Sequence, residues 1–216
     1  MQDVVLGRHH LQLLPERALY WPAYGMLLLA DLHLGKADTF RHFGISVPQG
    51  VQTHDLERLH TALQQCSAQR CVVLGDFVHG RTVSDDTAHA WHALQQAHPY
   101  TCFELVIGNH DRTFNPQQLH MHAVYEHLQL DDVLLTHEPV APADWPAASV
   151  QWNMHGHLHP IMRLPGSRIA HPVLALQAPY VRLPALSAFT AGQPVHGACQ
   201  GLWALHSEEG VVVRLC

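Results

Sequence analysis

Ten residues able to ligate a metal or move a proton stand in short groups along the chain: Asp31 and His33, Asp76 and His79, Asn109, His110 and Asp111, His137, and His157 with His159. Carboxylate, imidazole and amide oxygen without any cysteine suit Mn²⁺, Fe or Zn²⁺ more than a thiolate-selected metal. The donors suffice for two ions. Two ions about 3.5–4 Å apart can clamp an in-line phosphoryl displacement, activating water and stabilising the leaving oxygen. A carboxylate shared between them holds the two cations close together. Because the chain contains 21 histidines, any single one is readily explained by chance, and His9, His10, His42, His54, His60, His89, His92 and His98 receive no role.

The densest stretch is MHGHLHP at 154–160. On an extended segment His157 and His159 point to the same side. Gly156 lets the backbone pass close to the cluster, and His155 points the other way as a bystander. His79, three residues after Asp76, reads as an orienting neighbour of a ligand more than as a ligand.

These groups need elements to position them. Each follows an apolar run of strand length: GMLLLA before DLHLGK, CVVLG before DFVHGR, CFELVI before GNHDR, DVLLT before HEP, and VQWNM before HGHLHP. Runs rich in Val, Leu and Ile read as buried strands. Residues 50–66 place Leu56, Leu59, Leu63 and Cys66 on one helical face as core. Residues 84–97 open with Ser84 as N-cap and two aspartates in the first turn. Strand–helix–strand succession predicts an α/β organisation, in which functional groups collect at strand carboxyl ends. After residue 160 the pattern changes to short strand candidates, IMRL, RIAHPVLAL, YVRLPAL, GLWAL and VVVRL, which predict a second, antiparallel sheet with turns at Gly166, Gly192, Gly197 and Gly210. Residues 139–148, PVAPADWPAA, read as a surface loop, and Trp152 as core. The whole span, 1–216, reads as one domain.

The net charge of −6 excludes a generally basic nucleic-acid coat but not a local patch. The five cysteines form no CxxC pair and fit reduced thiols. The opening MQDVVLGRHHLQLLPE lacks the basic start and apolar stretch of a signal peptide, and no apolar run is long enough to span a bilayer, so a cytoplasmic location without membrane association is expected.

The ordered motifs DLH (31–33), GDFVH (75–79), GNHD (108–111), His137 and GHLH (156–159) resemble the calcineurin-like metallophosphoesterase superfamily. The resemblance implies a sandwich of two mixed β-sheets flanked by helices, with a dinuclear metal site at the strand ends. It also implies that Asp31, His33 and His159 hold one ion, that Asn109, His137 and His157 hold the other, and that Asp76 bridges them. His110 would contact the phosphate and assist the leaving group, oriented by Asp111; an imidazole titrates near working pH.

The substrate is a separate question. Lys36, Arg41, Arg81 and Arg112 follow the ligand motifs within ten residues, in a chain with only 12 Lys and Arg. A rim of such charges would suit a polyanion. The segments LADLHLGKADTFRHFGISVP (29–48), LGDFVHGR, VIGNHDR, THEP, GHLHP and LPALSAFTAG are similar to the bacterial ligase-associated DNA-damage-response endonucleases, although AFTAG at 188–192 lacks two adjacent glycines. That resemblance implies Mn²⁺-dependent DNA cleavage and DNA ligase and helicase partners. Two alternatives remain. A small-molecule phosphodiesterase would need a closed pocket formed by loops 139–148 and 184–197. A non-catalytic interaction module would be expected to have lost ligands, yet Asp76, Asn109, His110 and His157 are all present.

Overall fold

The computed structural model describes residues 1–47, 50–81, 83–164 and 166–216; Pro48, at the end of segment 29–48, lies outside them. Seven strands form the first sheet: β1 (Gln2–Leu6), β2 (His9–Leu14), β3 (Ala18–Trp21), β4 (Met26–Leu29), β5 (Arg70–Leu74), β6 (Cys102–Val106) and β7 (Ala123–Tyr125), paired in chain order. The first four make an antiparallel meander, and β4 to β7 run parallel. Three helices accompany this sheet: α1 (Lys36–His42), α2 (Val51–Cys66) and α3 (Asp85–Ala97). The Ser84 hydroxyl caps α3 by accepting from Thr87 N–H.

The second sheet has nine strands. β8 (Leu128–Leu130), β9 (Val133–Thr136) and β10 (Trp152–His155) lead into β11 (Pro160–Arg163), β12 (Ala170–Gln177), β13 (Tyr180–Arg182), β14 (Gln193–Pro194), β15 (Gly201–His206) and β16 (Val211–Arg214). It is mixed: β9, β10 and β13 are parallel, whereas β12 pairs antiparallel with β11, β13 and β15.

The uninterrupted apolar runs are explained by burial on both faces. Leu27 and Leu29 of β4 pack toward Leu59, Leu63 and Trp91 of the helices, while Leu28 packs toward Val133, Leu135 and Met154 of the second sheet. Successive strand residues face opposite sides, so a strand between two layers needs apolar residues at every position. The helices cover one face of one sheet, so they flank the sandwich on that side among the described residues. No described helix is long and apolar enough to cross a membrane.

The expectation that the second sheet begins after residue 160 and is antiparallel is corrected here. The five strands preceding the ligand groups are not one sheet: β4, β5 and β6 belong to the first and β9 and β10 to the second. The opening residues, unassigned from the sequence, form the first three strands of the meander.

Candidate metal centre

All ten singled-out residues lie at or just beyond the carboxyl ends of β4, β5, β6, β9 and β10, where the two sheets meet. The backbone there is tied loop to loop. Asp31 N–H donates to Gly75 O (3.1 Å), His33 N–H to Asp76 O (2.9 Å) and Gly156 N–H to His137 O (3.1 Å). His157 N–H crosses between sheets to the Asp31 carboxylate, 3.0 Å from Oδ2. The close approach depends on Gly156, where a Cβ would stand 2.6 Å from both Ala30 Cβ and Asp31 Oδ2.

Two sets of donor atoms converge. Asp31, His33 and His159 form one; Asp76, His137 and His157 form the other, with all donor atoms of each within 4.8 Å of one another. In the second, His137 Nε2 lies 3.0 Å from Asn109 Oδ1, 3.3 Å from Asp76 Oδ1 and 3.2 Å from His157 Nδ1. The ring is turned by its other nitrogen, Nδ1, which sits 3.0 Å from Leu74 O. His159 is held likewise, with Nδ1 2.8 Å from Ala191 O and Nε2 3.1 Å from Asp31 Oδ1. Anchoring one ring nitrogen on a backbone carbonyl fixes the tautomer and leaves the other as a lone-pair donor.

Three features fit these clusters to divalent ions. Both ring nitrogens of His33 are buried without a hydrogen-bond partner among the described residues, a state that costs about 1–3 kcal/mol per group unless something binds it. The donors are all oxygen or nitrogen. Five of the positive-φ non-glycine residues are candidate ligands, Asp31 (56°), His33 (51°), Asp76 (48°), His157 (65°) and His159 (44°). Left-handed backbone at a non-glycine residue costs roughly 1–2 kcal/mol and is concentrated at functional sites. The last two values also correct the extended reading of 157–159: the chain turns at each histidine and so aims His157 and His159 into different clusters. His155, the expected bystander, is fully buried at the end of β10.

The charges follow from this packing. Burial, with a smaller contribution from Lys36, drives the His33 pKa down to about 2, so the ring is neutral. Burial opposes ionisation of Asp76, but its hydrogen bond and charge interaction with His137 prevail and hold it at about 2. Burial likewise disfavours charge on His137, and Asp76 and Asp31 overcome it, raising the group to about 9.

His110 stands over this centre with its side chain 40% exposed and Nε2 3.8 Å from Asp76 Oδ2. Its backbone N–H donates to Asp76 Oδ1 (3.0 Å), and its ring rests on that of His79, 4.8 Å between centroids. His79 also meets His33 edge-on at 5.6 Å. Asp111 departs from expectation. Its buried carboxylate accepts from Val78 N–H (3.0 Å) and Gly108 N–H (2.9 Å), so it ties the loops after β5 and β6 rather than orienting the His110 ring. Of the four rim cations, Lys36 is half-buried among the ligands, where burial lowers its pKa against the raising influence of Asp76 and Asp31. Arg112 borders a cavity beside Asn109 and His137. Arg41 pairs with Asp38 at 3.2 Å, and Arg81 is exposed in a bend.

Sequence reasoning missed the outer support. Leu186 N–H donates to Ala30 O (2.8 Å) and Ser187 N–H to Asp31 O (3.2 Å), so segment 185–191 braces the first cluster. Arg58 donates to Asp55 (2.6 Å) and Leu186 O (2.9 Å), Asp55 accepts from Ala188 N–H (2.9 Å), and Arg17 donates to Ser187 O (3.2 Å). The segment LPALSAFTAG had stood out only through resemblance.

The sequence model of the family described as calcineurin-like phosphoesterase matches residues 26–176. The crystal structure of the nuclease MPE of Pseudomonas putida superposes with a TM-score of 0.81 at 30% identity, covering 99% of each chain. Yfce, a phosphoesterase from E. coli, matches with a TM-score of 0.49 at 18% identity over 87% of this chain and 96% of its own. No curated protein sequence matches significantly.

Proposed function

The chain belongs to the calcineurin-like phosphoesterase family and is a metal-dependent phosphoesterase; from that premise we propose that it is an endonuclease cutting DNA phosphodiesters with two divalent ions, Mn²⁺ being the working metal. The observation that carries the reading is the pair of converging donor clusters beside one exposed histidine. Asp31, His33 and His159 would hold one ion and Asn109, His137 and His157 the other, with the Asp76 carboxylate between them. When bound, such a pair supplies Lewis-acid polarisation of the phosphoryl group and activation of water.

The chain's own groups supply the rest. His110, held against Asp76 and His79, reaches the solvent side of the centre, where it hydrogen-bonds the phosphoryl group and delivers a proton to the leaving oxygen. Lys36 adds a fixed positive charge beside the ligands for the same phosphoryl group. Asp111 keeps Gly108 and Val78 in register, and through them the ligand loops.

DNA as substrate is favoured by likeness to a nuclease along nearly the whole chain. Val140 and Asp144 border the second cluster, and segment 187–191 braces the first. The test is cleavage of covalently closed single-stranded and supercoiled circles with Mn²⁺ or EDTA, by wild type and His110→Ala. Circles offer no end, so Mn²⁺-dependent cutting that falls sharply in the variant is the expected result. Intact circles alongside hydrolysis of a small diester would replace DNA with a small-molecule substrate.

A further inference from the structure

A cavity of about 350 Å³ opens beside the second donor cluster, with Asn109 and His137 forming part of its lining. Its volume lies at the small end of ligand clefts, which run from about 300 Å³. Ile107, Leu134, Val140 and Pro146 give it apolar walls. Val140 is fixed by two bonds, its N–H to Asn153 Oδ1 (2.8 Å) and its O accepting from the Trp145 indole (3.0 Å), so this wall is preformed. The polar lining includes three carboxylates, Glu126, Glu138 and Asp144, together with Arg112 and the imidazoles of His127 and His137.

With the scissile phosphate held at the metal clusters, the three carboxylates disfavour a second phosphate in the cavity. A polyanion whose scissile group lies on the metal clusters would be repelled from three carboxylates, so what enters must be its neutral part. Apolar walls match the faces of a nucleobase, and carboxylates accept hydrogen bonds from N–H edges, as sites that take bases out of a stack do. Resting on the DNA-cleavage reading above, we propose that this cavity binds the base of a nucleotide flanking the cut, and that it prefers guanine. Guanine presents adjacent N1–H and N2–H donors, which one carboxylate can accept as a pair. Thymine presents one N–H between two carbonyl oxygens, and a carboxylate repels both.

Two measurements test this. Single-stranded oligothymidine carrying one guanine should be cut next to that guanine about tenfold faster than at other positions, and guanosine should inhibit DNA cleavage at least tenfold better than thymidine. Val140→Trp, which crowds the cavity from a residue that is not a proposed ligand, should flatten the preference to within twofold while hydrolysis of bis(p-nitrophenyl) phosphate stays within twofold of wild type. Even cutting along the wild-type strand would overturn the proposal alone, as would a guanine preference that survives in Val140→Trp. Equal loss on DNA and on the small diester would also overturn it. A wild type that hydrolyses the diester but leaves DNA uncut would remove both this proposal and the reading beneath it.

Discussion

Replacing His33 with leucine should raise the stability of the metal-free protein and lower that of the metal-loaded one. His33 is 5% exposed, and neither ring nitrogen has a hydrogen-bond partner among the described residues. At about 1 kcal/mol each, the low end for buried unsatisfied groups, the two atoms destabilise the metal-free fold by about 2 kcal/mol. Leucine fills similar space without polar atoms. It is tolerated less well than histidine on left-handed backbone, a difference on the order of 1 kcal/mol at φ 51°. The net gain is about 1 kcal/mol. For 216 residues the unfolding entropy is roughly 0.45 kcal/mol/K, so the metal-free variant should melt about 2 °C above wild type. At Mn²⁺ concentrations 100-fold over Kd, each occupied site adds about 2.7 kcal/mol. Wild type gains two such increments and the variant one, so the loaded variant should melt about 4 °C below wild type. Thermal denaturation in EDTA and in Mn²⁺ reads both signs. A variant that melts lower under both conditions would refute the idea that the His33 nitrogens are held free for a metal.

Three further outcomes follow from the same geometry. His110→Ala should cut turnover by about 10²–10⁴ with two ions still bound per chain by elemental analysis, because His110 lies outside both clusters; loss of an ion would move it among the ligands. Arg58→Met removes the bonds to Asp55 and Leu186 O and should weaken one metal site about 10–100-fold in calorimetric titration, leaving the other unchanged. Equal weakening of both would mean the brace acts on the fold as a whole. Gly156→Ala forces a Cβ into Ala30 and the Asp31 carboxylate and should cost about 1–3 kcal/mol of stability, and an unchanged melting temperature would contradict the close approach.

The ligand set was legible because each group of donors follows a largely apolar run, and such runs mark strands buried on both faces. Those runs could not say which sheet each strand joins. Leu134 and Leu135 of β9 look no different from Val72 and Val73 of β5, yet β9 pairs with β10 and β5 with β4. The N-terminal meander escaped because β2 begins His9–His10, and burial of His9 depends on a partner 123 residues away, Asp132, at 2.6 Å. The brace was invisible for the same reason, since Arg17 meets Ser187 across 170 residues. The left-handed turns at His157 and His159 were hidden because histidine, unlike glycine, gives little warning of positive φ.

That the centre lies on the seam between two sheets determines which substitutions can separate chemistry from folding. Asp31 is a candidate ligand, but its carboxylate also accepts from His157 N–H, and its backbone accepts from Ser187 N–H. It therefore joins the first sheet to the second even without metal. Asp76 is similar: its carboxylate accepts from His110 N–H and pairs with His137. Removing either carboxylate leaves buried donors unpaired, at about 1–3 kcal/mol each, and loosens the joint that shapes the site. Lost activity in those variants would carry two explanations. Among the described residues His33 makes no side-chain hydrogen bond, and the His110 ring meets Asp76 Oδ2 only at 3.8 Å, too long for one. These two side chains can be changed with the seam intact, so His33 isolates the metal contribution and His110 the proton-transfer contribution.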